Sequence, residues 1–546
     1  METITVVLFL LFCVVVSDLL ARTLPIPVPR PLYQIALGGV IGLFADLRVV
    51  LDPDIFFLLF LPPLLFLDGW HIAREEVFKD RFVILELAFG LVVLTVLGAG
   101  LFINWMIPAM PLAVAFALAA VVSPTDPIAV SAIAKHAPIP KRMMNILEGE
   151  SLLNDASGLV CLRFAVAAAL TGSFSLTDAA LDFLWVALAG IAVGISLTWA
   201  VTRSKNMLAR RIGESSATQT LVSLLIPFGS YLVAEHLDCS GILAAVAAGV
   251  TMSIEESSGQ AQAATRIRRN TVWDTIQFAA NGVIFVILGE QLPAILEGAA
   301  ETVRMTGHHE PWWLGIYVVA ICLGLAALRF LWVWASLQVS LLRTGQKRPP
   351  RHWRLISAMS LSGVRGAITL AGVLTLPLTM TDGSAFPARD LAIFLAMGVI
   401  IVTMVVATVF LPLLLNGLEM PRDSTADDQE AAARIAAAEA AIAEIERVQH
   451  SMAAGAKDAD LFVTVGASLM DVYRERVRSR SQEGEAAVLV RRIDWIEREM
   501  RLAALRAERG EIFRRVRKYQ LGSERARKLI RELDLLETRY SAEPKG

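Results

Sequence analysis

Four polar residues, Glu150, Ser151, Asn154 and Asp155, fall within residues 149–161, one of the most apolar stretches of the chain. A charged side chain at mid-bilayer costs roughly 2.5–3.5 kcal/mol on insertion scales, so such residues face a protein interior or a wet cavity and mark ion or proton pathways. Residues four apart on a helix share a face. Ser151 therefore stacks on Asp155 and Glu150 on Asn154, with the two faces about 100° apart. The carboxylate of Asp155 and the hydroxyl of Ser151 are hard oxygens suited to a small monovalent cation, and Asp155 is the group expected to exchange it. Glu150 needs a counter-charge, and Arg329, in the apolar run 326–330, is a buried cation available for it. Breaking such a pair costs about 3–5 kcal/mol, which assigns Glu150 and Arg329 to the scaffold.

Two helices that the sequence itself interrupts must position these groups. Ser123-Pro124-Thr125-Asp126-Pro127 carries two prolines. Each removes an N–H, clashes with the carbonyl four residues back and disfavours helix at the residue before it, so about one turn should unwind. Thr125, on that turn, is expected to offer the cation a hydroxyl or carbonyl oxygen. The counterpart is Leu361-Ser362-Gly363-Val364-Arg365-Gly366-Ala367, followed by Gly372 and Pro377. Freed carbonyls cannot face lipid, and two broken helices in corresponding halves point to a transport site built from inverted repeats. Kinked packing helices are the other reading. Half-helices carry about +0.5 charge at their N-termini and −0.5 at their C-termini. Asp126 is expected to neutralise the positive ends and Arg365 the negative ones.

The 546 residues are 55% hydrophobic with mean hydropathy +0.58. That is too long and too apolar for one soluble core, so the fold class expected is an all-α polytopic membrane protein. Thirteen apolar windows read as spans: 2–20, 31–47, 54–70, 82–106, 111–134, 147–171, 177–201, 217–237, 239–255, 272–292, 312–342, 355–379 and 390–418. Alternate loops are basic: Arg22 and Arg30; Arg74, Lys79 and Arg81; Lys135, Lys141 and Arg142; Arg203, Lys205, Arg210 and Arg211; Arg266, Arg268 and Arg269; Arg343, Lys347, Arg348, Arg351 and Arg354. The intervening loops hold only Arg48, Arg304 and Arg389. The positive-inside rule then puts the N-terminus outside a plasma membrane and the C-terminal tail in the cytoplasm. Residues 421–546 hold 24 of the 50 basic and 23 of the 52 acidic side chains. The chain is thus expected to divide into a transmembrane domain, 1–420, and a helical tail, 421–546. Leu489, Ile493 and Ile496 recur in the tail at helical spacing; it reads as a solvated appendage or as an element for regulation or dimer packing. Cys13, Cys161, Cys239 and Cys322 lie in or beside apolar runs and read as buried thiols.

In their order along the chain, Phe60-Leu61-Pro62-Pro63-Leu64-Leu65, the Ser123–Pro127 motif, the acid helix, Arg329 and Gly363-Val364-Arg365-Gly366-Ala367 resemble the cation–proton antiporter-1 family. These are the sodium/proton exchangers of the bacterial NhaP and animal exchanger type, and the resemblance covers roughly residues 1–420. It implies thirteen helices with inverted repeats, a homodimer, and alternating access by a core domain moving against a dimerisation domain. It carries exchange onto Asp155, and further cation ligation onto Ser151, Thr125 and the neighbouring Asn154. Glu150, Arg329, Asp126 and Arg365 match the family's structural positions. One departure stands out. Family members often carry an acid four residues after the second proline of span three, where this chain has Leu67. Asp68 is one position later, about 100° around the helix, and reads either as a ligand or as a solvated helix end.

The mechanism expected is competition between H⁺ and Na⁺, Li⁺ or K⁺ for Asp155, the loaded site opening alternately to each side of the membrane. The Asn154-Asp155 pair resembles the electroneutral kind, one H⁺ per cation. A K⁺/H⁺ antiporter on the same scaffold is one alternative and a gated cation channel another. No enzyme reading has support, because there is no phosphate-binding glycine loop and His308-His309 lacks further metal-ligand residues nearby. No cofactor and no nucleic-acid partner is expected. The partners are the cation, H⁺, membrane lipid and a second subunit. Glu86 lies close to a helix end, and Arg163, two turns beyond Asp155, has no role legible in the sequence.

Overall fold

A backbone crossing lipid must satisfy its own hydrogen bonds, and helix does so within one segment. The computed structural model describes residues 2–24, 28–44, 53–72, 81–127, 130–131, 139–171, 176–213, 215–256, 263–305, 310, 312–344, 352–380, 382–416, 424–454, 459–480, 485–518 and 520–541. His308-His309 and several of the loop cations, among them Arg74, Lys135 and Lys347, lie outside the described residues. The chain divides into two compact units, Met1–Glu419 and Met420–Gly546.

The first unit begins with α1 (Glu2–Thr23), α2 (Arg30–Phe44) and α3 (Pro53–His71). Helix α4 starts as Arg81–Leu85, passes through a π-helical stretch, Glu86–Leu91, and continues as Val92–Met106. Then come α5 (Leu112–Val122), α6 (Lys141–Thr171), α7 (Leu176–Ile212), α8 (Ser216–His236), α9 (Gly241–Glu256), α10 (Ala263–Met305), α11 (Trp313–Thr344), α12 (His352–Leu361), α13 (Ala367–Leu374) and α14 (Arg389–Leu415). Described helix occurs in every one of the thirteen predicted windows. Among the described residues, eight helices are long and apolar enough by length and composition to cross a membrane, with shorter apolar helices at Leu58–His71 and Leu112–Val122. The chain is a multi-pass membrane protein.

Packing sorts these helices into two bundles. In one, α2 lies on α10, α3 on α9, α7 on α9, and α8 on α9, α7 and α10. In the other, α4, α5 and α6 pack together, and α11, α12 and α13 pack around α14. We call the first the panel bundle and the second the site bundle. They meet where α10 touches α14 and, more lightly, where α3, α9 and α10 approach α6 and α13.

The panel is closed by glycines at helix crossings. A Cβ at Gly38 would overlap the carbonyl of Val286, one at Gly289 the carbonyl of Ile35, and one at Gly249 the carbonyl of Phe66. Small residues permit this approach, which is how helices associate in a solvent as apolar as themselves. Phe66, Leu67, Trp70, Ile226, Met252 and Trp273 form a buried cluster beside the α3–α9 crossing, with the rings of Phe66 and Trp273 stacked at 5.3 Å. Arg269 departs from the sequence reading. Expected in a loop, it lies in α10, 1% exposed, paired with Glu256 and 4.9 Å above the Trp70 ring.

The second unit comprises α15 (Ser424–Ala453), α16 (Ala459–Arg480), α17 (Glu485–Arg517) and α18 (Ser523–Ser541). Helix α15 packs on α16 and α17 on α18. Leu502, Leu505, Ala526 and Leu533 are buried in the latter pair, and Arg509 bridges to Asp534 at 2.9 Å and to Glu537.

Candidate functional site

The two interruptions form where the residues dictate. Helix stops after Val122 and resumes at Pro127; it stops again after Leu361 and resumes at Ala367. The two extended segments cross, and the N–H of Asp126 donates to the carbonyl of Val364 at 2.7 Å. Arg365 serves the negative ends of the broken helices: its Nε donates to Val122 O at 2.8 Å and its Nη1 to Gly363 O. Its own N–H donates to Thr403 Oγ1 of α14 at 3.3 Å. The Asp126 carboxylate lies against Gly366, the residue that opens α13, so closely that a Cβ there would overlap Oδ2. A carboxylate at that position complements the positive end of the α13 dipole.

Beneath the crossing runs α6. Glu150 is fully buried and receives a two-pronged bond from Arg329, Nη1 to Oε1 at 2.5 Å and Nη2 to Oε2 at 2.7 Å. Arg329 Nε donates to Met359 O at 3.0 Å, which ties the pair to α12. The fork geometry satisfies two acceptors at once and fixes the register of α6 against α11. Thr125 joins this network to the crossing. Its hydroxyl donates to Glu150 Oε1 at 3.3 Å and accepts from Asn154 Nδ2 at 3.1 Å. Asn154 Oδ1 is buried with no hydrogen-bond partner among the described residues. Ser157 holds α6 to the π stretch of α4, donating to Ala88 O at 2.8 Å.

Asp155, 3% exposed and hydrogen-bonded by the Ser151 hydroxyl, faces a cleft between the bundles. The cleft holds about 410 Å³ not filled by atoms, part of it open to solvent. One wall is Leu64 and Asp68 of α3 with Asn281 of α10; the other is Ser151 and Asp155 of α6, residues 124–127 of the first interruption and residues 366–369 of the second. Carboxylate, hydroxyl, backbone and amide oxygens thus line one cavity at the helix break, a donor set suited to a monovalent cation or a proton. Asp68 is half-buried on the cleft wall, while Leu67 is fully buried in the panel cluster. The one-residue offset therefore leaves an acid at the cleft.

The structure brings Asp155, Ser151, Thr125, Asp126 and Asp68 to the cleft and keeps Glu150, Asn154 and Arg329 behind it. Arg163 pairs with Glu235 at 3.1 Å, and Glu86 Oε2 accepts from Ser336 Oγ at 3.0 Å. Three contributors were not singled out from sequence. Asn281 stands alone as an amide in an apolar run, a signal that was available. Thr403 gave none, and Arg389 was legible only as a loop cation. Arg389 Nε donates to Leu376 O at 2.9 Å, just past the C-terminal end of α13.

The sodium/hydrogen exchanger transmembrane family model matches residues 7–417. An uncharacterized Na⁺/H⁺ exchanger of Escherichia coli is 41% identical over 98% of this chain and 98% of its own length. A sodium, potassium, lithium and rubidium/H⁺ antiporter of Bacillus pumilus is 38% identical over 99% of this chain and 78% of that protein. The solved structure of the sodium proton antiporter of Methanocaldococcus jannaschii at pH 8 superposes with a TM-score of 0.58 at 19% identity, covering 77% of this chain and 99% of that one, a likeness of fold. A family model matching most of the chain, and a relative similar over nearly its whole length, make this protein a member of the sodium/hydrogen exchanger family, a family of transporters and not of enzymes.

Proposed function

We propose that the protein is a secondary active antiporter exchanging Na⁺, and also Li⁺ or K⁺, for H⁺ by competition at Asp155. The observation that carries this is the Asp155 carboxylate, buried and hydroxyl-bonded, on a cleft wall where two broken helices cross. Ionised, it binds a cation with Ser151, Thr125 and Asp68 as further ligands; protonated, it holds H⁺. The two states exclude each other, and that exclusion is the coupling. Glu150, Arg329, Asp126 and Arg365 hold the crossing in place. Asn154, engaged with Thr125, puts an amide rather than a second acid next to Asp155 on α6, which fits an electroneutral cycle.

The thirteen-span reading places the N-terminus outside the plasma membrane and the tail, residues 421–546, in the cytoplasm, where a regulatory role suits it. Inverted repeats are supported by the packing. If spans one to six correspond to spans eight to thirteen, α2 on α10 maps onto α9 on α3, and α4 on α5 onto α11 on α12; each pair is in contact. Two bundles meeting along a thin seam support alternating access by movement of one against the other, with the panel as the surface for a homodimer. The cation range named for the Bacillus pumilus relative favours a second reading, K⁺/H⁺ exchange at the same site.

The test is reconstitution in proteoliposomes with an internal pH dye. Na⁺, K⁺ or Li⁺ is added and the membrane potential is set with valinomycin. Cation-driven proton movement indifferent to potential is expected. Asp155→Asn should abolish it while the protein remains folded; undiminished exchange in that variant overturns the assignment.

A further inference from the structure

The exchange reading has no use for Arg163, although it lies on the same helix as Asp155. It is eight residues on, about 12 Å along the axis at 1.5 Å per residue. Its Nη2 lies 3.1 Å from Glu235 Oε1, near the end of α8, with the two side chains 54% and 35% exposed. The same oxygen accepts the N–H of Gly241, the first residue of α9, at 3.2 Å. One panel carboxylate thus holds the start of one panel helix and a cation of the site bundle. Elsewhere α6 leans on its own bundle, with only light packing against α3 and α9.

Position gives the pair its meaning. Gly69 packs on Val246 and Val250 of α9 and Trp70 Nε1 donates to Glu256 at 2.7 Å, so the end of α3 that carries Asp68 lies toward the end of α9 away from Gly241. Arg163 and Glu235 lie beyond Asp155, toward the end where α6 finishes at Thr171. The ion pair thus joins the bundles on the side of Asp155 away from the α6 N-terminus, and Asp68 stands apart from it. A site that opens alternately to both sides must part the bundles where they are now joined.

We propose that the Arg163–Glu235 ion pair is a gate latch: it holds α6 against α8 and α9 while Asp155 is open toward the α6 N-terminal end, and it separates when the site faces the other way. The proposal rests on the antiport reading for its purpose but makes its own prediction about access. Only an interaction present in one of two states shifts their balance, so losing the latch should favour the opposite-facing state.

Two measurements on the full-length protein test it. In oriented proteoliposomes, Arg163→Gln and Glu235→Gln should each raise the half-saturating Na⁺ concentration on the α6 N-terminal side and lower it on the other. A partly exposed pair predicts a shift of about two- to fivefold. Glutamine at 235 keeps an acceptor for Gly241, Arg163→Lys should restore the wild-type values, and the double variant should shift no further than either single one. Independently of transport, Ile368→Cys on the cleft wall, with the four native cysteines replaced, should react with an impermeant maleimide less from the α6 N-terminal side once the latch is removed. Unchanged labelling and unchanged half-saturation would overturn the latch, as would equal shifts on both sides or additive single effects. A wild-type protein that moves no protons, but whose labelling still responds to Arg163→Gln, would overturn the antiport reading and leave the latch standing.

Discussion

The panel and site bundles face one difficulty, holding helices together where lipid is as apolar as the side chains, and solve it differently. In the panel, backbone lies on backbone: α2 against α10 at Gly38 and Gly289, and α3 against α9 at Gly249. In the site bundle, two helices are broken and their loose ends are held by Arg365, Asp126 and the Glu150–Arg329 fork. A glycine crossing has one register and resists sliding. A bundle of charges and interrupted backbone keeps polar atoms at membrane depth, where ions can be handled. The rigid wall and the chemically active wall are built from different interactions.

Mutations should separate the two. The largest effect is expected at Glu150→Gln, which leaves Arg329 charged and buried; a loss of about 3–5 kcal/mol follows for a broken buried pair, read as a lowered unfolding temperature in detergent. Replacing Arg329 by Met in the same chain should recover part of that loss, since a neutral pair leaves no unpaired charge. Unchanged stability with an altered ion preference would move Glu150 from scaffold to site. Next comes Gly289→Ala in the panel. Its methyl group meets the Ile35 carbonyl, and overpacking of this kind costs about 1–3 kcal/mol. Gly315, with nothing within 4 Å of a built Cβ, is the control, and its alanine variant should be neutral or slightly stabilising. If both alanines behave alike, the panel is not held by close approach. The smallest change is expected at Ser157→Ala, which removes the bond to Ala88 O and should cost about 0.5–1.5 kcal/mol with exchange retained.

The site bundle was the more legible of the two, for a physical reason. Prolines and buried charges are expensive at membrane depth, so Pro124, Pro127, Glu150, Arg329 and Arg365 each demanded an explanation from sequence alone. The panel's devices are silent there. Nothing about Gly38 or Gly289 says which helix it will meet, because that depends on residues some 250 positions away. Arg163 was conspicuous but unassigned for the same reason: its partner, Glu235, sits at the end of another span where a charge draws no notice. The π stretch of α4 left no sequence mark either. It emerged only with Ser157 seated on the Ala88 carbonyl. Asp68 read either as a ligand or as a solvated helix end, and packing places it on the cleft wall while Leu67 fills the aromatic cluster.

The bond from the Asp126 amide to the Val364 carbonyl has a wider meaning. Two segments that cannot be helical pair across the break as neighbouring strands of a sheet do, so each interruption supplies a backbone partner that lipid cannot. The two breaks, some 240 residues apart, therefore depend on each other: moving one segment away would leave the Asp126 N–H and the Val364 carbonyl without this partner at membrane depth.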